Sequence, residues 1–137
     1  MTPLLITWVL TVLAAVVVVL TRVRLSREDG NAAGSNAIPK AVLHLHTIAG
    51  VPALVLWVAF LLTGRTALGV VGLLLWWVTV VAGLLVLTRW LPAKGRHSTG
   101  PRSDSWGEGP GLSVLAHVGL LVGAVTWTVF LALDQIP

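Results

Sequence analysis

The chain alternates between four long apolar segments and shorter polar ones. The apolar segments run approximately over residues 3–20, 41–62, 67–87 and 112–133, and none of them contains Lys, Arg, Asp or Glu. About 20 residues of α-helix cross a hydrocarbon core of roughly 30 Å, so uncharged segments of this length predict membrane-spanning helices. We therefore predict an all-α membrane protein, a single domain over residues 1–137 built as a four-helix bundle.

The connections between these segments predict how the helices are arranged. Loops at about residues 22–40 and 89–110 contain several Gly and Ser residues and are expected to be flexible and solvated. The connection between the second and third segments is only Thr63 to Thr66, which makes those two helices antiparallel neighbours. Each long loop joins two helices, the first with the second and the third with the fourth. This arrangement suggests an internal repeat of two helical hairpins.

The basic residues predict the orientation in the membrane. The chain has nine Lys and Arg residues, and all except Arg65 lie in or beside the two long loops. Basic loops stay on the cytoplasmic side, so we predict both long loops inside the cell and both termini outside, in the plasma membrane. This distribution explains the net charge of +4 without nucleic acid, and the expected partner is the lipid bilayer.

Composition excludes several kinds of chemistry. The chain has no cysteine, which rules out thiol–disulfide exchange and thiolate metal sites. The predicted helices contain no carboxylate, which argues against the proton-coupled exporters of similar size. We do not expect the protein to be an enzyme on its own.

Three histidines are the only ionisable side chains predicted to lie within the membrane. Such residues are functional candidates because burying them in lipid is costly. His46 is six residues past Lys40, and His117 is six residues past Gly111. At 1.5 Å per residue both lie roughly 9 Å from the same cytoplasmic face, so their imidazoles could bind one metal ion or one haem. The remaining histidine, His97, is expected to be a solvated loop residue.

Small residues beside His46 favour a bulky cofactor at this position. Gly50 and Ala53 share the helix face of His46, and directly packed helices lie only about 8–10 Å apart, so a macrocycle needs small residues against it. His44 projects about 200° away from His46 and stays the alternative ligand. Pro52 frees one backbone carbonyl, and Ser113, one turn before His117, could accept its second ring N–H.

Glycines on the third and fourth predicted helices indicate close helix packing. Gly69, Gly72 and Gly83 lie on the third helix, and Gly119 and Gly123 form a GxxxG pair on the fourth. Both sets suit packing within one chain, and they equally suit a homo-oligomer.

The segment from His44 to Gly64, HLHTIAGVPALVLWVAFLLTG, resembles a haem-carrying helix of the cytochrome b561 family and related membrane reductases. The matching positions are His46, Gly50, Thr63 and Gly64, so the resemblance covers about one helix. It implies a b-type haem with histidine ligands. Those families usually bind two haems through four histidines, whereas this chain has none near its outer face. The resemblance therefore implies at most one haem, near the cytoplasmic side.

Two functions stay open at this stage. The first is a small electron-transfer or haem-binding subunit that holds haem b between His46 and His117. The second is an accessory or assembly subunit of a larger membrane or respiratory complex, in which the histidines only form hydrogen bonds between helices.

Overall fold

The chain folds into four long helices. A computed structural model describes residues 1–27, 40–90 and 110–137. The helices are α1 (Pro3–Arg27), α2 (Lys40–Thr63), α3 (Thr66–Trp90) and α4 (Pro110–Ala132), and no strand occurs within those ranges. Each helix is long and apolar enough to cross a membrane, which confirms the predicted membrane fold of four helices. Most of the two long loops, including His97, lies outside the described residues.

The helices extend beyond the apolar segments that predicted them. α1 continues to Arg27 instead of ending near residue 20, and α3 continues to Trp90 instead of residue 87. The absence of charge marks where a helix crosses lipid, but Arg and Leu are good helix formers in water as well. The helix therefore continues after the chain leaves the hydrocarbon layer. α2 and α4 begin and end within two residues of the prediction.

A two-residue connection joins α2 to α3. Gly64 adopts a left-handed conformation with φ of 67°, and its N–H donates to the carbonyl of Phe60 at 2.8 Å. This is the usual cap of a helix that ends at glycine. The N–H of Leu68 donates to the carbonyl of Arg65 at 2.9 Å, which begins α3. The Thr-Gly pair that matched the cytochrome pattern thus has a local capping role.

The α2–α3 hairpin forms the centre of the bundle. A β-carbon at Gly72 would lie 2.9 Å from the backbone nitrogen of Trp57, so only glycine allows this approach of the two helices. About 44% of the apolar stretch of α3 is buried, against 17% for α1 and α4, which are peripheral. The close contact of α2 with α3 therefore joins the two predicted hairpins, α1–α2 and α3–α4. The internal repeat itself stays a prediction.

Aromatic residues fill the core of the bundle between α2, α3 and α4. Trp57, Trp76, Trp127 and Phe60 are fully buried. The ring centres of Trp127 lie 5.1 Å from those of Trp57 and 5.4 Å from those of Trp76, a range in which tilted aromatic pairs attract each other. This cluster packs α4 against the central hairpin.

Two tryptophan–threonine hydrogen bonds tie the peripheral helices to the centre. Trp57 Nε1–H donates to Thr11 Oγ1 on α1 at 3.1 Å, and Trp77 Nε1–H donates to Thr128 Oγ1 on α4 at 3.0 Å. Each threonine hydroxyl donates in turn to the carbonyl four residues earlier on its own helix. Both hydroxyls therefore act as donor and acceptor at once, so neither of them is left unpaired.

The residues after α4 close one end of the bundle. Asp134 has a φ of 50°, and the N–H of Gln135 donates to the carbonyl of Phe130 at 2.9 Å, which reverses the chain. Ile136 is then only 7% exposed and belongs to the hydrophobic core. At the opposite end, which we call the basic end, α1 and α3 finish and α2 and α4 begin. That end carries Arg22, Arg24, Arg27, Lys40 and Arg89 on the helices.

Candidate functional site

His46 points into the bundle and contacts the backbone of α3. Its Nδ1 lies 2.9 Å from the carbonyl oxygen of Thr79. A carbonyl can only accept, so this geometry assigns the proton of the neutral ring to Nδ1 and leaves the lone pair on Nε2. Metal-bound histidines commonly have this arrangement, in which the nitrogen away from the metal donates to a carbonyl.

His117 on α4 meets His46 across the core. Their ring centres lie 5.6 Å apart and the ring planes are inclined by 24°. Both side chains are partly buried. The structure thus brings together the two histidines that the sequence paired by their matched depth, near the basic end of the bundle.

Gly83 on α3 forms the third wall of this site. A β-carbon at Gly83 would lie 2.7 Å from His46 Cε1, 2.8 Å from His117 Cδ2 and 3.0 Å from His117 Nε2. Any side chain would displace both rings. From the sequence Gly83 was only a packing glycine, yet it lies seven residues before Trp90, a depth of roughly 10 Å that matches the histidines.

Gly50 faces α3 and α1, and its predicted contact with a cofactor stays a prediction. A β-carbon there would lie 3.6 Å from Thr79 Cγ2 and 3.8 Å from Val18 Cγ2. These are ordinary packing distances between helices, so Gly50 lies in the contact of α2 with α3 and α1. Ala53, predicted to share this face, is fully buried. The small residue that borders both imidazoles is Gly83.

His44 lies on the outer surface of α2. It is exposed, and Ile48 and Val55, which share its face, are 61% and 59% exposed. Only His46 therefore faces His117. Pro52 is exposed inside α2, and the side chain of Ser113 lies outside the described part of the structure.

The two rings are stacked, and the distance between their centres is the quantity that can be compared with a bis-imidazole centre. Metal–imidazole bonds of about 2.0–2.1 Å on both sides of one metal would separate the ring centres by about 6 Å, close to the observed distance. The α3 backbone leaves little space for a macrocycle beside the two rings. Because a β-carbon at Gly83 would meet both rings, the α3 backbone lies close to them, and a macrocycle extending in all directions from a central iron would meet α3 there. A porphyrin therefore fits these ligands only if the helices part at Gly83.

In the part of the chain that the structure describes, no group of three or more His, Cys, Asp or Glu residues comes together. No protein-family model matches the chain, and no curated protein or solved structure shows significant similarity to it. The class that fold and site define is a four-helix membrane protein with a partly buried histidine pair. The cytochrome-like pattern stays a prediction.

Proposed function

We propose that the protein binds one haem b between His46 and His117 and acts as a small electron-transfer subunit in the membrane. The observation that supports this most is the meeting of two imidazoles from different helices, with Nδ1–H of His46 donated to a carbonyl. Nε2 of that ring is then the nitrogen available for iron. Two imidazoles are the axial ligands of many low-spin b-type haems, whose iron supplies one-electron chemistry.

The surroundings of the pair suit such a role. The carbonyl of Thr79 fixes the orientation of the His46 ring and makes its Nε2 a stronger donor. Apolar helices around the site exclude water, which shifts redox potentials. The pair lies near the basic end, so under the positive-inside rule the site is on the cytoplasmic side and both termini are outside, in the plasma membrane. Electrons would then be exchanged with a donor or acceptor on that side.

Haem binding requires α4 to move away from α3 at Gly83. α4 is the more easily displaced wall, because α2 is held against α3 by the close contact at Gly72, whereas α4 is one of the least buried helices. A β-carbon at Gly119 would meet nothing within 4 Å, which shows that this side of α4 is open.

A second function is favoured by the direct contact of both rings with each other and with Gly83. In this account the histidines are structural. His46 ties α2 to α3 through the Thr79 carbonyl, and the protein is an accessory or assembly subunit of a larger membrane complex. The two accounts differ in what His46 Nε2 does.

A single substitution separates them. In His46→Asn the amide nitrogen replaces Nδ1 and can still donate to the Thr79 carbonyl, but nothing replaces Nε2. If haem is bound, the purified wild-type protein shows reduced α and β bands of low-spin iron. His46→Asn and His117→Ala lose those bands, although His46→Asn keeps its stability. His44→Ala is the matched control and keeps the bands. A wild-type protein that stays colourless after expression with ample haem supports the accessory role instead.

A further inference from the structure

We infer that α3, which contributes no ligand, positions the site through the carbonyl of Thr79 and the bare backbone of Gly83. This inference deepens the proposed function and rests on it only in treating the two histidines as a ligand pair. Its structural part concerns the protein without ligand and can be tested separately.

The carbonyl of Thr79 determines which histidine of α2 turns towards α3 and which of its ring nitrogens carries the proton. Of the two histidines on α2, only His46 reaches α3, where its Nδ1–H donates at 2.9 Å. Imidazole in water prefers the proton on the other nitrogen, so a fixed proton on Nδ1 requires a partner such as this carbonyl. The side chain of Thr79 is occupied elsewhere, since its hydroxyl donates to the Leu75 carbonyl at 2.8 Å. The positioning group is therefore the backbone oxygen.

Gly83 lies one turn after Thr79 and fixes where the rings can lie. Its contacts reach His46 at Cε1 and His117 at Cδ2 and Nε2, which are atoms at or beside the metal-binding nitrogen. With a methyl group at this position, both rings would have to withdraw by several tenths of an ångström to reach ordinary contact distances of about 3.5 Å. Gly83 therefore acts as a positioning residue for both imidazoles.

The structural part is tested by nitrogen NMR of ligand-free protein labelled with ¹⁵N-histidine. We expect the His46 signals, assigned by their loss in His46→Asn, to show a protonated Nδ1 and an unprotonated Nε2. The opposite tautomer at His46 would overturn the inference. The measurement itself is made on the wild type, and His46→Asn, which keeps a donor to the Thr79 carbonyl, serves only for assignment. The result also stands if the wild type proves unable to bind haem, so the two failures can be distinguished.

The role of Gly83 is tested with a matched pair of glycine variants. Gly83→Ala should shift the nitrogen signals of both His46 and His117 in the protein without ligand, because the added methyl group would meet both rings. Gly119→Ala adds the same methyl group to α4 in open space and should change neither. Fluorescence of the buried tryptophans shows whether Gly83→Ala is folded. A folded Gly83→Ala protein with wild-type nitrogen signals would contradict the inference.

Discussion

The close contact at Gly72 gives the sharpest prediction about the fold. A β-carbon there would lie 2.9 Å from the backbone nitrogen of Trp57 and 3.3 Å from the carbonyl carbon of Leu56. These atoms belong to the α2 backbone and cannot rotate away as a side chain could. Carbon atoms normally approach to about 3.5–4.0 Å, so Gly72→Ala must push the two central helices apart by roughly half an ångström.

The free energy of unfolding that Gly72→Ala loses through overpacking can be measured against a control variant. Overpacking of this kind costs about 1–3 kcal/mol, while replacing glycine by alanine in a helix gains up to about 1 kcal/mol. Gly119→Ala has the same gain without the clash, because a β-carbon there meets nothing within 4 Å. The difference between the two variants is therefore the overpacking, about 1–3 kcal/mol.

Reversible unfolding in mixed detergent micelles measures this difference. Gly72→Ala should unfold at a lower denaturant fraction than the wild type, and Gly119→Ala at the same or a higher one. If Gly72→Ala is as stable as Gly119→Ala, the two helices do not approach each other as described.

Two further predictions concern the core and the topology. Trp57→Phe should destabilise the protein more than Trp76→Phe, by about 0.6–1.7 kcal/mol in the same unfolding assay. The two changes remove similar volume, but Trp57 Nε1 donates to Thr11 whereas Trp76 Nε1 is buried without a partner among the described residues; equal losses would contradict the role of that hydrogen bond. A reporter enzyme that works only outside the cytoplasm should be active when fused after Pro137, and inactivity there together with activity in the first long loop would reverse the proposed orientation.

The fold could be predicted because lipid imposes a simple rule. An uncharged stretch of about 20 residues has few stable alternatives to a spanning helix, and Gly64 marks the turn between α2 and α3. The helix ends were missed at Arg27 and Trp90, because hydropathy reports the membrane boundary and not the end of hydrogen bonding. The central position of the α2–α3 pair was only partly predictable. The short connection made them neighbours, but the closeness depends on which face Gly72 presents.

The histidine pair could be predicted in part and its third wall could not. Equal distances from the helix starts were sufficient to pair His46 with His117, and helical geometry separated His46 from His44. The same reasoning assigned Gly50 to the cofactor, because on a single helix any residue four positions away shares the face. Which helix occupies that face depends on packing between segments far apart in sequence. Gly83 and the Thr79 carbonyl were missed for this reason, since a backbone carbonyl has no signature in the sequence.

Electron paramagnetic resonance of the oxidised, purified protein tests the central claim most directly, because it reports both axial ligands and the angle between their planes. The ring planes are inclined by 24° before α4 moves aside for haem, so this angle does not fix the angle between the ligand planes once haem is bound. We expect a low-spin ferric signal in the wild type and its loss in His46→Asn. A protein supplied with haem that shows no haem signal, or only a high-spin one, would contradict a site formed by His46 and His117.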